Sequence, residues 1–270
     1  MQATWRNWLS FAPMEYVVIP LFALFAALLT FFSGFGLGTI LTPVFALFFR
    51  IDLAIALTGV VHFVNNLFKL LLIGRRADRA TLLRFGVPAV VAAFAGAWVL
   101  LRISDLPPWY QYQIGDRTAS VTPVKLVIAL LLIIFAVLDL LPSLKQLRLG
   151  PQHLPLGGLL SGFFGGLSGH QGALRSAFLI KAGLNKEAFI ATGTIIATFI
   201  DLTRLGVYAS RFAASGLQAH WPLVLTAILA AITGAYLGLR LLQKITLQFV
   251  QRFVAVMLIV IALALATGLI

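Results

Sequence analysis

The chain has no cysteine and few charges. Without thiols there are no disulfides, no thiolate metal ligands and no cysteine nucleophile. Charged residues occupy 10% of the 270 positions, against about 25% in a soluble domain. Only eight residues are acidic. No His/Glu pair has metal-site spacing, and no serine or threonine has a base partner at a motif spacing, so no enzyme and no cofactor are expected. The opening residues lack the short apolar stretch and small-residue cleavage site of a leader, and none is expected. What the chain has in excess is apolar surface: 61% hydrophobic residues and a mean hydropathy of +1.02.

That surface is arranged in long runs. Leu53 to Ile73, Leu82 to Leu101, Val124 to Leu141, Ala188 to Val207, Trp221 to Leu242 and Phe253 to Leu269 approach or exceed the ~20 residues that span a bilayer. Glu15 to Phe49 and Leu154 to Leu184 are longer still, and glycine interrupts both. The first reads Ser33-Gly34-Phe35-Gly36-Leu37-Gly38; the second reads Gly165-Gly166-Leu167-Ser168-Gly169-His170-Gln171-Gly172. Breaks of this kind free backbone polar groups that hydrocarbon cannot hydrate, so protein or a water-filled cavity must surround them. In matching positions of two halves, they point to a transporter's binding site. The net charge of +12 sits in short loops rather than on a basic face, which fits the lysine and arginine excess of cytoplasmic loops and not nucleic-acid binding.

The two halves are related. Gly38 to Gly59 aligns without a gap on Gly172 to Gly193, and Gly96 to Arg102 resembles Gly234 to Arg240. The expected architecture is an all-α polytopic membrane protein of two homologous repeats, 1–148 and 149–270. Each repeat is a glycine-broken hairpin (about 15–50 and 153–184) followed by three spans. Those of the first repeat lie at about 52–74, 81–102 and 122–141, and those of the second at about 186–209, 218–242 and 246–269. Loops holding Arg75, Arg76, Arg79 and Arg84, Lys145 and Arg148, and Arg240, Lys244 and Arg252 are assigned to the cytoplasm. The loop with Asp105 and Asp116 lies outside. Parity then makes each broken segment return to the side it left, and the second repeat is inverted relative to the first. One tilted, interrupted helix per half is the alternative.

The polar residues inside these spans carry the function. Thr42-Pro43 resembles an N-cap and first-turn proline, and a helix is expected to restart there; its partner restarts near Gln171 to Ala173. Helix N-termini at mid-membrane suit an anion. Gly36, Gly38, Gly169 and Gly172 are assigned to the site; Gly158, Gly162 and Gly166, a small-xxx-small stripe, are assigned to packing. Arg175, in the first turn of the second restarting helix, needs an anionic neighbour, with His170 and Gln171 beside it in the turn. His62, Asn65, Asn66 and Lys69 share one face of a span; Lys69 is expected to snorkel to the headgroups. Thr194, Thr198 and Asp201 share a face of the matching span, with Arg204 and Tyr208 close to its continuation. Arg175 aligns with Leu41 and Asp201 with Leu67, so one asymmetric site is expected rather than two equal ones.

At these residues the chain resembles the sulfite exporter (TauE/SafE) family of membrane permeases. Gly34-Phe35-Gly36-Leu37-Gly38 followed by Pro43 is similar to the family's first signature. Ser161-Gly162-Phe163-Phe164-Gly165-Gly166, continuing through Gly172, is similar to its second. The resemblance runs from about Val17 to Leu265. It implies transport of small sulfur-containing anions such as sulfite, sulfoacetate or related organosulfonates, driven by an ion gradient. His170-Gln171 and Arg175-Ser176 stand where many members have further glycines and a proline, and the added arginine reinforces the anion argument. The chain therefore reads as a multi-pass secondary transporter of the bacterial-type inner membrane. It would move a small anion by alternating access, with a proton or other ion as coupling partner and homo-oligomerisation left open. A passive anion channel is the alternative.

Overall fold

The computed structural model describes residues 13–30, 36–115, 117–140, 150–180, 182–212, 220–241 and 247–270. Ser33-Gly34-Phe35 of the first break, the repeat junction up to Leu149, and Asp116, Lys145, Arg148, Lys181 and Lys244 lie outside the described residues.

The described residues are helical almost throughout. Helices α1 (Glu15–Thr30) and α2 (Leu37–Ala46) precede α3 (Ile51–Ile73). A 3-10 turn (Gly74–Arg76), the short α4 (Arg79–Thr81) and a π-helical turn (Leu82–Gly86) lead into α5 (Val87–Ser104). Asp78 caps α4, its carboxylate accepting from the Thr81 N–H at 2.7 Å, and its own N–H donates to Thr192 on a later helix. An antiparallel hairpin of β1 (Tyr110–Ile114) and β2 (Arg117–Val121) follows; the reading of the sequence had only a loop here. Then come α6 (Pro123–Leu140), α7 (Leu154–Ser168), α8 (Gly172–Leu179), α9 (Lys186–Phe212), α10 (Trp221–Leu241) and α11 (Leu247–Ala266).

Among the described residues, four stretches are long and apolar enough to cross a membrane: Ile51–Arg76, Arg79–Ser104, Lys186–Ala209 and Trp221–Arg240. Shorter apolar helices accompany them. The surface is that of a membrane protein: Leu71, Leu83, Val91, Phe94, Phe199, Leu229 and Val256 are exposed, while Asp201 and Arg204 are fully buried. In water that distribution would be unstable; in hydrocarbon the outward leucines cost nothing, and the ionised groups must turn inward.

Packing is reciprocal along the chain. Helix α1 packs on α10, α7 on α5, α3 on α9, and α6 on α11. Glycine makes the closest of these contacts. On α7, Gly158, Gly162 and Gly166 lie against the backbone of Phe85, Ala89 and Ala93, each pair four residues beyond the last. Gly96 of α5 and Gly234 of α10 approach the Phe163 and Leu24 carbonyls in the same manner. A Cβ at Gly162 would stand 2.0 Å from the Ala89 carbonyl oxygen, which is backbone and cannot rotate away. Gly162→Ala is therefore expected to push α7 off α5 and destabilise the fold by about 1–3 kcal/mol, seen as a lower unfolding temperature in detergent. A temperature equal to that of the native protein would refute this account of the stripe.

The second break is a turn and not a kink. Helix α8 folds back beside α7, so that the Phe178 ring, near the end of α8, fills the space over Gly157 near the start of α7. Gly169, in the left-handed conformation at φ 80°, ends α7, and its N–H bonds the Gly165 carbonyl. The backbone freed by the turn finds partners in side chains. Ser161 donates to the Gln171 carbonyl, and the Tyr208 hydroxyl donates to the Gly166 carbonyl. In the first break the helix restarts earlier than expected. Gly36, extended at φ −80° and ψ 140°, is the N-cap of α2, and Thr42-Pro43 lies within the helix. Pro43 lacks the N–H that would bond the Thr39 carbonyl, which faces the His170 ring without a well-formed hydrogen bond between them.

Candidate functional site

The two breaks meet at the centre of the protein. A Cβ on Gly38 would lie 3.2 Å from the Gly169 carbonyl oxygen, and one on Gly169 would lie 2.7 Å from Nη1 of Arg204. Helices α3 and α9 pass beside this crossing and carry the polar stripes.

Asp201 is the hub. Its Oδ1 accepts from Arg204 Nε at 3.0 Å, with Arg204 Nη2 2.9 Å away but off the line of a hydrogen bond. Its Oδ2 accepts from His62 Nδ1 at 2.6 Å and from Asn66 Nδ2 at 3.1 Å. Both members of the Asp201–Arg204 pair have no solvent-accessible side chain. The interaction expected from the i,i+3 spacing on α9 is thus joined by two donors from α3, which no local spacing announces.

On the Gly36 side of this hub lies a pocket of about 30 Å³, room for about two water molecules. Gly36 and Leu37 at the start of α2, His62, Asn66 and Lys69 of α3, Arg175 and Ser176 of α8, and Thr194 of α9 contribute to its wall. Among the described residues two cations border it and no acidic residue does. Arg175 donates from Nη1 to Gln171 Oε1 at 3.1 Å, and its Nε lies against Gly193. Among the described residues Arg175 makes no ion pair. Lys69 is only 6% exposed and borders the pocket, so it does not snorkel to the headgroups as the sequence suggested. Its i+3 relation to Asn66 keeps it on the His62 face, and that was the available signal.

The remaining residues singled out from the sequence divide. Thr194 is at the wall, its hydroxyl donating back to the Ile190 carbonyl; Thr198 donates to the Thr194 carbonyl and lies off the pocket. Gly172 opens α8. His170 is buried beside the crossing, donating from Nδ1 to the Ser168 carbonyl at 2.9 Å and stacking on Phe135; it does not line the pocket. Asn65 is buried with neither amide atom hydrogen-bonded, and it too is off the wall. No group of three or more metal-ligating side chains occurs among the described residues.

Chemically the pocket is an electropositive cup. Arg175 and Lys69 supply charge, the first turn of α2 offers backbone N–H groups left without helical acceptors, and Asn66, Ser176 and Thr194 add neutral polar groups.

Helices that expose leucine, bury an ion pair and enclose a basic cup define a polytopic membrane protein with a polar site at its core. The sulfite exporter TauE/SafE family profile matches residues 19–265, and the chain belongs to that family of membrane transporters. No curated protein matches the chain.

Proposed function

We propose that the protein is a secondary transporter of a small anion, with sulfite, a small sulfonate or another sulfur-containing oxyanion as its cargo, bound at the crossing of the two broken segments. The observation that carries this is the pocket itself: Lys69 and Arg175 border it with the start of α2, and among the described residues no carboxylate does. The cargo's negative charge would meet these two cations. Gly36, Arg175, His62, Asn66 and Thr194 contact it; Gln171 holds Arg175; Asp201 and Arg204 hold His62 and Asn66. Gly38, Gly169, His170 and Gly172 shape the crossing, and Asn65 and Thr198 line the path away from the cup.

Alternating access is supported by the reciprocal pairing of α1 with α10 and α7 with α5, the pattern of two repeats related by a pseudo-two-fold axis. On this reading the repeats are inverted, the loop with Arg75 and Arg76 is cytoplasmic, and the cup opens toward that side of an inner membrane. The close approach of Gly38 to Gly169 shuts the far side, which favours a carrier over a passive channel.

The test is a thermal-shift screen of the purified protein against sulfite, sulfate, thiosulfate, methanesulfonate and acetate. A ligand at about a hundred times its dissociation constant stabilises the folded state by about 2.7 kcal/mol. A sulfur oxyanion should raise the unfolding temperature by several degrees while acetate does little. If no anion shifts it, the pocket is not an anion site.

A further inference from the structure

We propose that His62 is the proton-binding site of the transport cycle, and that each anion enters the cup together with one proton carried on His62 Nε2. This deepens the anion-transport reading and rests on it. The argument starts with Asp201. Paired with Arg204, it is a carboxylate and accepts at both oxygens. An acceptor 2.6 Å from His62 Nδ1 requires that Nδ1 carry the hydrogen. The 3.2 Å approach of Asn66 Nδ2 to the same nitrogen is then a contact between two donors, and Asn66 spends its hydrogen on Asp201 at 3.1 Å. The tautomer is fixed: neutral His62 presents a lone pair at Nε2.

That lone pair is at the cup. Nε2 lies 3.5 Å from where a Gly36 Cβ would be, and Gly36 and His62 both border the pocket. Among the described residues it has no hydrogen-bond partner. A proton arriving there makes an imidazolium that donates into the cup while its other nitrogen stays bonded to Asp201. Empty, the cup already holds the charges of Lys69 and Arg175, which oppose a third cation. Filled by an anion, it favours one. Binding of proton and anion is therefore mutually reinforcing, and the reinforcement is reciprocal by linkage.

The other titratable groups do not fit this role. Asp201 and Arg204 of α9 face His62 from behind and are spent on each other. Lys69 of α3 and Arg175 of α8 border the same cup as cations. His170 is off the pocket wall, with its donor spent on Ser168.

The experiment counts protons. Sulfate or methanesulfonate is titrated into the purified full-length protein between about pH 5.5 and about pH 8, where histidine titrates and neither anion does. Proton uptake is read by calorimetry in buffers of different ionisation enthalpy. The expected result is uptake approaching one proton per anion, with affinity weakening by up to about tenfold per pH unit in the alkaline part of the range. His62→Gln should still bind, more weakly, with no proton uptake and a flat pH dependence. Lys69→Gln should weaken binding at every pH and keep the slope. Anion binding by the native protein with no proton uptake overturns the proposal and leaves the anion site standing. So does loss of uptake in His170→Gln or Lys69→Gln but not in His62→Gln. If no anion binds at any pH, the anion-transport reading falls and takes this one with it. Should His62→Gln fail to fold, the native proton count decides alone.

Discussion

Alanine at Arg175 is expected to abolish anion transport in proteoliposomes, a loss of about a hundredfold or more, while leaving a folded protein. The two halves of that expectation have separate causes. Among the described residues Arg175 is one of two cations bordering the cup, and it is 7% exposed. Truncating one member of a buried, hydrogen-bonded charge pair costs about 2–5 kcal/mol of binding, here the pair between guanidinium and cargo. Yet among the described residues the only hydrogen bond from its side chain runs from Nη1 to Gln171 Oε1. Losing that bond costs the fold about 1–2 kcal/mol. Arg175→Lys should fall between, because it keeps the charge but loses the planar fork that grips an oxyanion at two points. Flux assays on the native, lysine and alanine proteins, each checked for a single unfolding transition, decide the matter. An alanine protein that transports at the native rate rules out Arg175 as a cargo ligand.

Why Arg175 stood out in the sequence, and Lys69 did not, shows where single-chain reading succeeds. An arginine three residues past a glycine break has no headgroup within reach, so its burial follows from its position alone. Lys69 sits a turn short of the end of α3, where a four-carbon stem can reach water; its spacing from Asn66 puts it on the His62 face, and the packing of α8 and α9 around the pocket holds it there. The glycine stripe on α7 was legible because close helix approach leaves a four-residue repeat of small residues. Thr42-Pro43 misled because a threonine before a proline has the chemistry of a helix start. The extended backbone at Gly36 had already started the helix, and a proline inside a mid-membrane helix is tolerated when neighbours cover the freed carbonyl. The hairpin of β1 and β2 had a signal that went unused: Tyr110-Gln111-Tyr112-Gln113-Ile114 alternates with period two and runs into Gly115. Least legible were the bonds from His62 and Asn66 to Asp201, partners more than a hundred positions apart, which depend on the register of α3 against α9.

Asp201 holds that register, and its removal should have a large effect. Asp201→Ala should destabilise the protein by about 3–5 kcal/mol, because Arg204 would remain charged and fully buried with no counter-ion. Two donors from α3 would lose their acceptor at the same time, so the contact of α3 with α9 should loosen along with the local pair. We assign the cost to the stranded guanidinium and not to the lost carboxylate as such. Removing both charges in Asp201→Leu/Arg204→Met should recover most of the stability that either single change removes, and a double-mutant cycle on unfolding temperatures measures the coupling. Recovery of the fold should not restore transport, since His62 Nδ1 would have no carboxylate to fix its tautomer. A double variant no more stable than Asp201→Ala would mean that the α3 donors, and not Arg204, set the cost. A double variant that both folds and transports at the native rate would remove the hub from the mechanism and leave the cup to work alone.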